Sequence, residues 1–367
     1  MPIAALTAHP LATPQPTASG RSGAVRSLVV EIVTDDGRCG FGEAFSPAAP
    51  QAAASIVEAT LAPLLLGADE DDIGALWETM RDALVTPVAG AGAEAVSAID
   101  IALWDLLGQR LGAPIHLLLG GHGRRRVTAY ASFIGWIADA DAVAVAEQAV
   151  ALGFRQIKVK IAPPLDAALA RVALIRDAVG PGIGLVADPN GAFDYPAAVT
   201  LARRLAELGY LWLEEPLDPA DKAGLVRLHA LGILPLAAGE SEYGPRGAIG
   251  LVTAGAVDLL QPDCGRIGGI TGFMRAATAA ASLGVPFAPH HAGGPIKAAA
   301  ALHLAAALPQ FRVMECSLLR TPLHDDLTEA PVAHHGLLDA HGTLPVPSGP
   351  GLGITVNRDA LRRLRLN

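Results

Sequence analysis

The sequence lacks an apolar run long enough to span a bilayer; its Ala-rich stretch 298–308 is interrupted by His303. No basic segment precedes an apolar one at the start, so "MPIAALTAHPLATPQ" does not read as a secretory signal. No basic stripe is interleaved with aromatics, and the formal net charge is −9, which argues against a nucleic-acid partner. Cysteine is scarce. Cys39, Cys264 and Cys316 are an odd number without metal-ligand spacing, and they read as free thiols in the reducing cytoplasm. Charge is also sparse, at 17% against 51% hydrophobic residues, so the chain is expected to build a substantial core rather than to be a disordered protein.

What is present divides into three stretches. At 367 residues the chain exceeds one ordinary compact domain. Residues 24–45, "AVRSLVVEIVTDDGRCGFGEAF", alternate like a strand pair with Asp36-Gly37 at the turn. Helical periodicity follows over roughly 50–66, 72–84 and 92–111. This α+β unit is expected over residues 1–125.

From 126 to 329 one pattern repeats: a short apolar run, a Gly/Pro-rich or polar turn, and an Ala/Leu-rich amphipathic helix. The strand candidates are 127–133, 155–160, 183–188, 210–214, 234–240, 257–263, 285–290 and 312–316. Eight such units predict a closed parallel α/β barrel of the TIM type rather than an open doubly wound sheet. The tail, 330–367, has no partner of its own and is expected to pack back on the first unit.

Ionisable residues close the apolar runs. Lys160, Asp188, Glu214, Glu240, Asp263, His290 and Glu315 recur at steps of 23 to 28 residues, one strand plus one helix each. In a barrel the carboxyl ends of the strands converge on one mouth, where active sites lie. Asp188, Glu214 and Glu240 come from consecutive units, and three carboxylates held together call for a cation. Hard oxygen ligands without Cys favour Mg²⁺. Lys160 precedes this trio in the ring, and Asp263 with His290 follows it, so an amine and an imidazole flank the metal.

"GFRQIKVKIAP" adds Lys158, two residues before Lys160 and on the same strand face. Like charges ~7 Å apart repel by ~2.4 kcal/mol at an effective dielectric of ~20. The pair is therefore expected to make one amine easier to deprotonate and fit to act as a base. In "HH", His290 occupies the strand-end position and His291 faces the other way. Glu215 points away from Glu214 and is read as structural.

"KVK", "VADPN", "WLEEP", "AAGES", "QPDCGRIGGITG", "FAPHHAGG" and "VMEC", with the N-terminal "GFGEA", resemble the enolase superfamily in order and spacing. The closest likeness is to its mandelate racemase subgroup of racemases and acid-sugar dehydratases. The resemblance implies an α+β capping domain, completed by the C-terminal tail, over a modified (β/α)₇β barrel. It also implies one Mg²⁺ per subunit on Asp188, Glu214 and Glu240. Lys160 would be one base, Lys158 its electrostatic partner, His290 with Asp263 the opposing dyad, and Glu315 a donor to the developing enediolate. Asn190, Ser132, Lys158 and Glu315 become candidate substrate contacts, with Arg21 in the capping-domain loop meeting a distal carboxylate.

The activity this implies is a Mg²⁺-dependent lyase that takes the proton α to a carboxylate and eliminates water from an acid sugar, giving a 2-keto-3-deoxy acid. The alternative on the same residues is a racemase or epimerase of an α-substituted carboxylic acid. A small-molecule carboxylate is thus the expected partner, with no nucleic acid or membrane, and members of the family are homo-oligomers.

Overall fold

The computed structural model describes residues 1–14, 23–84, 89–121 and 123–366. The first unit is a three-stranded antiparallel sheet of β1 (Ile3–Pro14), β2 (Ala24–Thr34) and β3 (Cys39–Ala44), in the order β1-β2-β3. The turn after Asp36 closes with the Thr34 N–H donating to the Arg38 carbonyl at 3.0 Å, and Gly37 supplies φ +83 there. β1 was not legible in the sequence. Pro10 and Pro14 leave it without two ladder donors, which an edge strand tolerates. Helices then cover the sheet, the longest being Ala91–Leu111. Strand β3 lies so close to it that a Cβ on Gly42 would sit 1.9 Å from the Ala98 carbonyl oxygen. Only glycine permits that approach, which explains the "GFG" pattern.

The second unit is the parallel barrel. Its strands are β4 (Arg126–Ile134), β5 (Gln156–Lys160), β6 (Gly184–Asp188), β7 (Trp212–Glu214), β8 (Leu236–Ala238), β9 (Leu259–Leu260) and β10 (Met314–Ser317). They follow the order β10-β4-β5-β6-β7-β8-β9, with sequential neighbours joined by helices. The candidate strand 285–290 is reduced to single bridges, Leu260↔Phe287 and Phe287↔Phe311, which close the ring. Pro286 and Pro289 lack the N–H groups a longer ladder needs. Tyr130, Val186, Trp212, Ala237, Leu259, Ala288 and Val313 fill the barrel interior.

The tail joins both units. β11 (Thr343–Pro345) pairs antiparallel with β4, and residues 364–366 close the outer edge of β1 through Ala12 N–H to Leu364 O and Leu366 N–H to Pro10 O. Between the units, Trp77 Nε1 donates to Gly268 O at 2.8 Å and Trp104 Nε1 to Thr271 Oγ1 at 3.0 Å. Both tryptophans therefore bridge the two units besides filling the core. No described helix is long and apolar enough to cross a membrane.

Candidate active site

Lys160, Asp188 and Glu214 end β5, β6 and β7, and Glu240 lies two residues past β8. Register places Lys160 beside Asp188 and Lys158 beside Val186. The Lys160 ammonium donates to Asp188 and, at 2.8 Å, to Asn190 Oδ1. Asn190 takes a left-handed turn at φ +48, and its own N–H donates to Asp188 Oδ1 at 2.9 Å. Its amide lies 3.4 Å from Glu240 Oε1. The asparagine thus ties the lysine to the acidic residues.

The two lysines are not a bare like-charge pair. Lys158, 1% exposed, lies 2.6 Å from Glu214, 3.0 Å from Glu315 and 3.5 Å from Asp188. Burial alone would lower its pKa, but the Glu214 and Glu315 carboxylates raise the ammonium well above the ordinary lysine value. Lysine repulsion alone is therefore the wrong picture of this pair. It omitted the carboxylates that β6, β7 and β10, all later in the sequence, bring to Lys158 across the barrel mouth.

Asp188, Glu214 and Glu240 present carboxylate oxygens all within 4.8 Å of one another. Burial, with Asp188 and Glu240 nearby, pushes the Glu214 carboxyl well above its usual range against the pull of Lys158. Asp188 goes the other way: burial raises it, but Lys160 and Lys158 hold it at about 2. Among the described residues Glu240 Oε2 is buried without a hydrogen-bond partner. An all-oxygen, incompletely satisfied trio fits a hard divalent cation such as Mg²⁺.

Glu215 lies outside the trio and accepts from Ser241 Oγ at 2.8 Å. Gln261 Nε2 supports the trio from below by donating to Glu214 Oε2 at 2.8 Å.

Across the mouth, His290 Nδ1 lies 2.6 Å from Asp263 Oδ2. Burial favours the neutral acid at Asp263, yet Lys297 and His290 pull its carboxyl well below the usual range. An ionised carboxylate only accepts, so His290 Nδ1 carries the proton. The other ring nitrogen, Nε2, is then aimed at the mouth, 3.4 Å from Glu240 Oε2. His291 turns the other way, and its backbone N–H donates to Glu315 Oε2 at 2.9 Å. Phe45, from the capping unit, places its ring 5.5 Å from that of His290.

The structure thus gathers Lys158, Lys160, Asp188, Asn190, Glu214, Glu240, Asp263, His290 and Glu315 into one cluster. Ser132 is buried on β4, two residues beyond Tyr130, and its hydroxyl bonds none of these groups among the described residues. Arg21 lies outside the described residues. Sequence reasoning missed Lys297, Gln261 and Phe45. A lone lysine in an Ala-rich helix carries no signal of direction, whereas Gln261 falls two residues before Asp263 on the same face and was open to discovery.

The sequence matches "Mandelate racemase / muconate lactonizing enzyme, N-terminal domain" over residues 3–120 and "Enolase C-terminal domain-like" over 141–360. It is 37% identical to the D-galactarolactone cycloisomerase of Agrobacterium fabrum, covering 98% of this chain and 97% of the relative. It is 34% identical to the D-gluconate dehydratase of Thermoproteus tenax, covering 92% of this chain and 70% of the relative.

Among solved structures, the 3,6-anhydro-D-galactonate cycloisomerase of Zobellia galactanivorans superposes with a TM-score of 0.91 at 32% identity, over 100% of both chains. A racemase from Streptomyces coelicolor with bound magnesium gives 0.90 at 30%, over 99% of this chain and 100% of that one. The capping sheet, the closed barrel and the clustered mouth all agree with these matches, and the chain belongs to the mandelate racemase subgroup of the enolase superfamily, whose dehydratases and racemases or epimerases are its enzymatic class.

Proposed function

We propose that this protein is a Mg²⁺-dependent lyase that removes the proton α to the carboxylate of an acid sugar and expels the hydroxyl from the β-carbon as water. The product is a 2-keto-3-deoxy acid. The observation that carries the reading is the acidic trio with Lys160 on one flank and the Asp263–His290 pair on the other. Asp188, Glu214 and Glu240 would hold the ion, which supplies Lewis-acid stabilisation of the negative charge that builds on the substrate carboxylate.

The chain's own groups do the rest. Lys158 stands beneath the mouth, 3.0 Å from Glu315, able to donate to a carboxylate oxygen as its charge grows, whereas Glu315, which Lys158 and the His291 N–H hold ionised, would have to take up a proton before it could donate. Lys160 and His290 are the two groups able to take or give a proton, one on each face of the α-carbon. One removes the α-proton and the other protonates the leaving oxygen. Proton transfer of this kind contributes ~10²–10⁴-fold, so the electrostatic term carries most of the rate. Asn190 holds Lys160 in place. The three free cysteines fit a reducing, cytoplasmic setting.

A second reading has its own support in the two cycloisomerase relatives. A ring oxygen on the β-carbon of a sugar lactone or anhydro sugar acid leaves as readily in principle as a hydroxyl, and its departure opens the ring. A third outcome, reprotonation on the opposite face, is racemisation or epimerisation. The experiment is a screen of mono- and diacid sugars, their lactones and anhydro acids with Mg²⁺, assaying 2-keto-3-deoxy acid and, in D₂O, α-deuterium. Keto acid formed with loss of water supports dehydration. Keto acid from a cyclic substrate without loss of water supports ring opening. Deuterium exchange without elimination replaces both with the epimerase reading, and no exchange from any carboxylate overturns all three.

A further inference from the structure

Lys297 is a fully buried charged side chain near the mouth that this chemistry leaves unused. It lies in the first turn of the helix Pro295–Ala307 and is 0% exposed. Its ammonium lies 2.6 Å from Asp263 Oδ2, the same oxygen that His290 Nδ1 approaches at 2.6 Å. Asp263 Oδ1 accepts from Gly265 N–H at 2.7 Å. Three donors from three directions leave this carboxylate no free rotation.

The stem of Lys297 is equally confined. A Cβ on Gly265 would lie 2.7 Å from its Cδ, and its ammonium sits 5.0 Å over the Phe45 ring. Its backbone is fixed from the other unit. Glu43, on β3 of the capping sheet and fully buried, accepts from Gly294 N–H at 2.6 Å and Lys297 N–H at 3.0 Å. Ser27 Oγ donates to the same carboxylate at 2.6 Å. A carboxylate of one unit therefore caps a helix of the other, at the turn that carries the lysine. The helix has no capping side chain of its own.

We propose that Lys297 is a positioning residue, and that Glu43, Lys297 and Asp263 form a relay by which the capping unit sets the orientation and tautomer of His290. The proposal rests on His290 being one of the two proton-transfer groups assigned above. The physical reason is that a buried carboxylate tends to neutralise, and a neutral acid could donate to Nδ1 and turn the ring's lone pair away from the mouth. The ammonium keeps Asp263 an acceptor. His290 then presents the Nε2 lone pair, not an N–H, to a bound substrate.

The test uses the full chain with ¹⁵N-labelled histidine, observed by NMR at one fixed pH, with H290N assigning the His290 signals. The wild type is expected to show a single Nδ1-protonated form for His290, whereas K297M shows mixed tautomers or broadening. E43Q, which touches neither Asp263 nor His290, is expected to change the same signals less. This readout needs no substrate, so it stands if the proposed reaction fails.

Where turnover exists, K297M should lower kcat ~10–100-fold, the range for groups that orient a functional ligand, with KM within about twofold. It should cost nothing further in the H290N background, because a group acting only through His290 has nothing left to act on. Unchanged His290 signals in both variants overturn the relay. Equal losses in the wild-type and H290N backgrounds overturn it as well, since they mark a general structural defect. Were K297M to misfold, E43Q in both backgrounds decides by the same criteria.

Discussion

Lys158 donates to Glu214 at 2.6 Å, so an ammonium from the second barrel strand neutralises a carboxylate from the fourth. Glu315 and Asp188 share the same ammonium at 3.0 and 3.5 Å. In a fully buried site this one cation offsets several acids that would otherwise repel one another. Removing one partner of a buried ion pair costs ~3–5 kcal/mol, because the remaining charge is left uncompensated. K158M should therefore lower the Tm strongly in EDTA and regain part of the loss in Mg²⁺, as the divalent ion replaces the missing positive charge. Thermal denaturation with and without Mg²⁺ checks this; equal losses in both conditions would contradict it.

The acidic trio predicts a second, separable effect. A ligand that binds only the folded chain stabilises it by ~2.7 kcal/mol at 100 times its Kd. Mg²⁺ should raise the wild-type Tm, and D188N or E240Q should reduce that rise to near zero while leaving far-UV circular dichroism unchanged. Calorimetric titration of Mg²⁺ into each protein provides the independent measurement. Affinity equal to wild type in E240Q would remove Glu240 from the site.

The proposed placement of Lys160 and His290 as proton-transfer groups on opposite faces predicts unequal partial activities. K160M and H290N should each lower overall turnover by at least ~10²-fold. One of the two variants should still exchange the α-hydrogen of substrate in D₂O, because the remaining base can reach its own face. The variant that loses exchange identifies the group that takes the α-proton. Loss of exchange in both variants would mean that the two groups act as one unit and not as separate bases.

The barrel was legible because its period is long and regular, and because each apolar run ends in an ionisable residue whose direction follows from strand alternation. Asp188, Glu214 and Glu240 could be grouped without coordinates for that reason. What was illegible shares one physical feature: it depends on segments far apart in the chain. β1 is held by β2 on one side and by the tail at Leu364 and Leu366 on the other, and its own prolines disguise it. The candidate strand at 285–290 failed because Pro286 and Pro289 limit the pairing that its apolar residues suggest. Lys297 sits in the sequence like an exposed helix lysine, and only the capping unit and Asp263 turn it inward. The surroundings of Lys158 were missed likewise, since its partners lie 30 to 157 residues away.

Asp100 makes the contact between the two units sensitive to pH. It projects from the capping helix Ala91–Leu111, and its Oδ2 accepts from Thr271 N–H of the barrel helix Gly269–Ser282 at 2.9 Å. Its Oδ1 is buried without a partner among the described residues. Burial, opposed by the hydrogen bonds of Thr271, raises the carboxyl to about 7. In the unfolded chain an aspartate titrates near ~3.9. Between these values the folded protein holds a proton that the unfolded chain has released, so stability falls as pH rises from about 4 to 7. The penalty is complete above pH 7, on the order of 4 kcal/mol. D100N cannot ionise and keeps an oxygen for Thr271, though its amide inherits the unpartnered position at a cost of ~1–3 kcal/mol. Wild type, whose loss at pH 4 is still under about 1 kcal/mol, should thus be the more stable protein at pH 4, and D100N the more stable at pH 8. Tm measured for both at the two pH values tests this, and a difference that does not change with pH would show that Asp100 is ionised in the folded protein throughout.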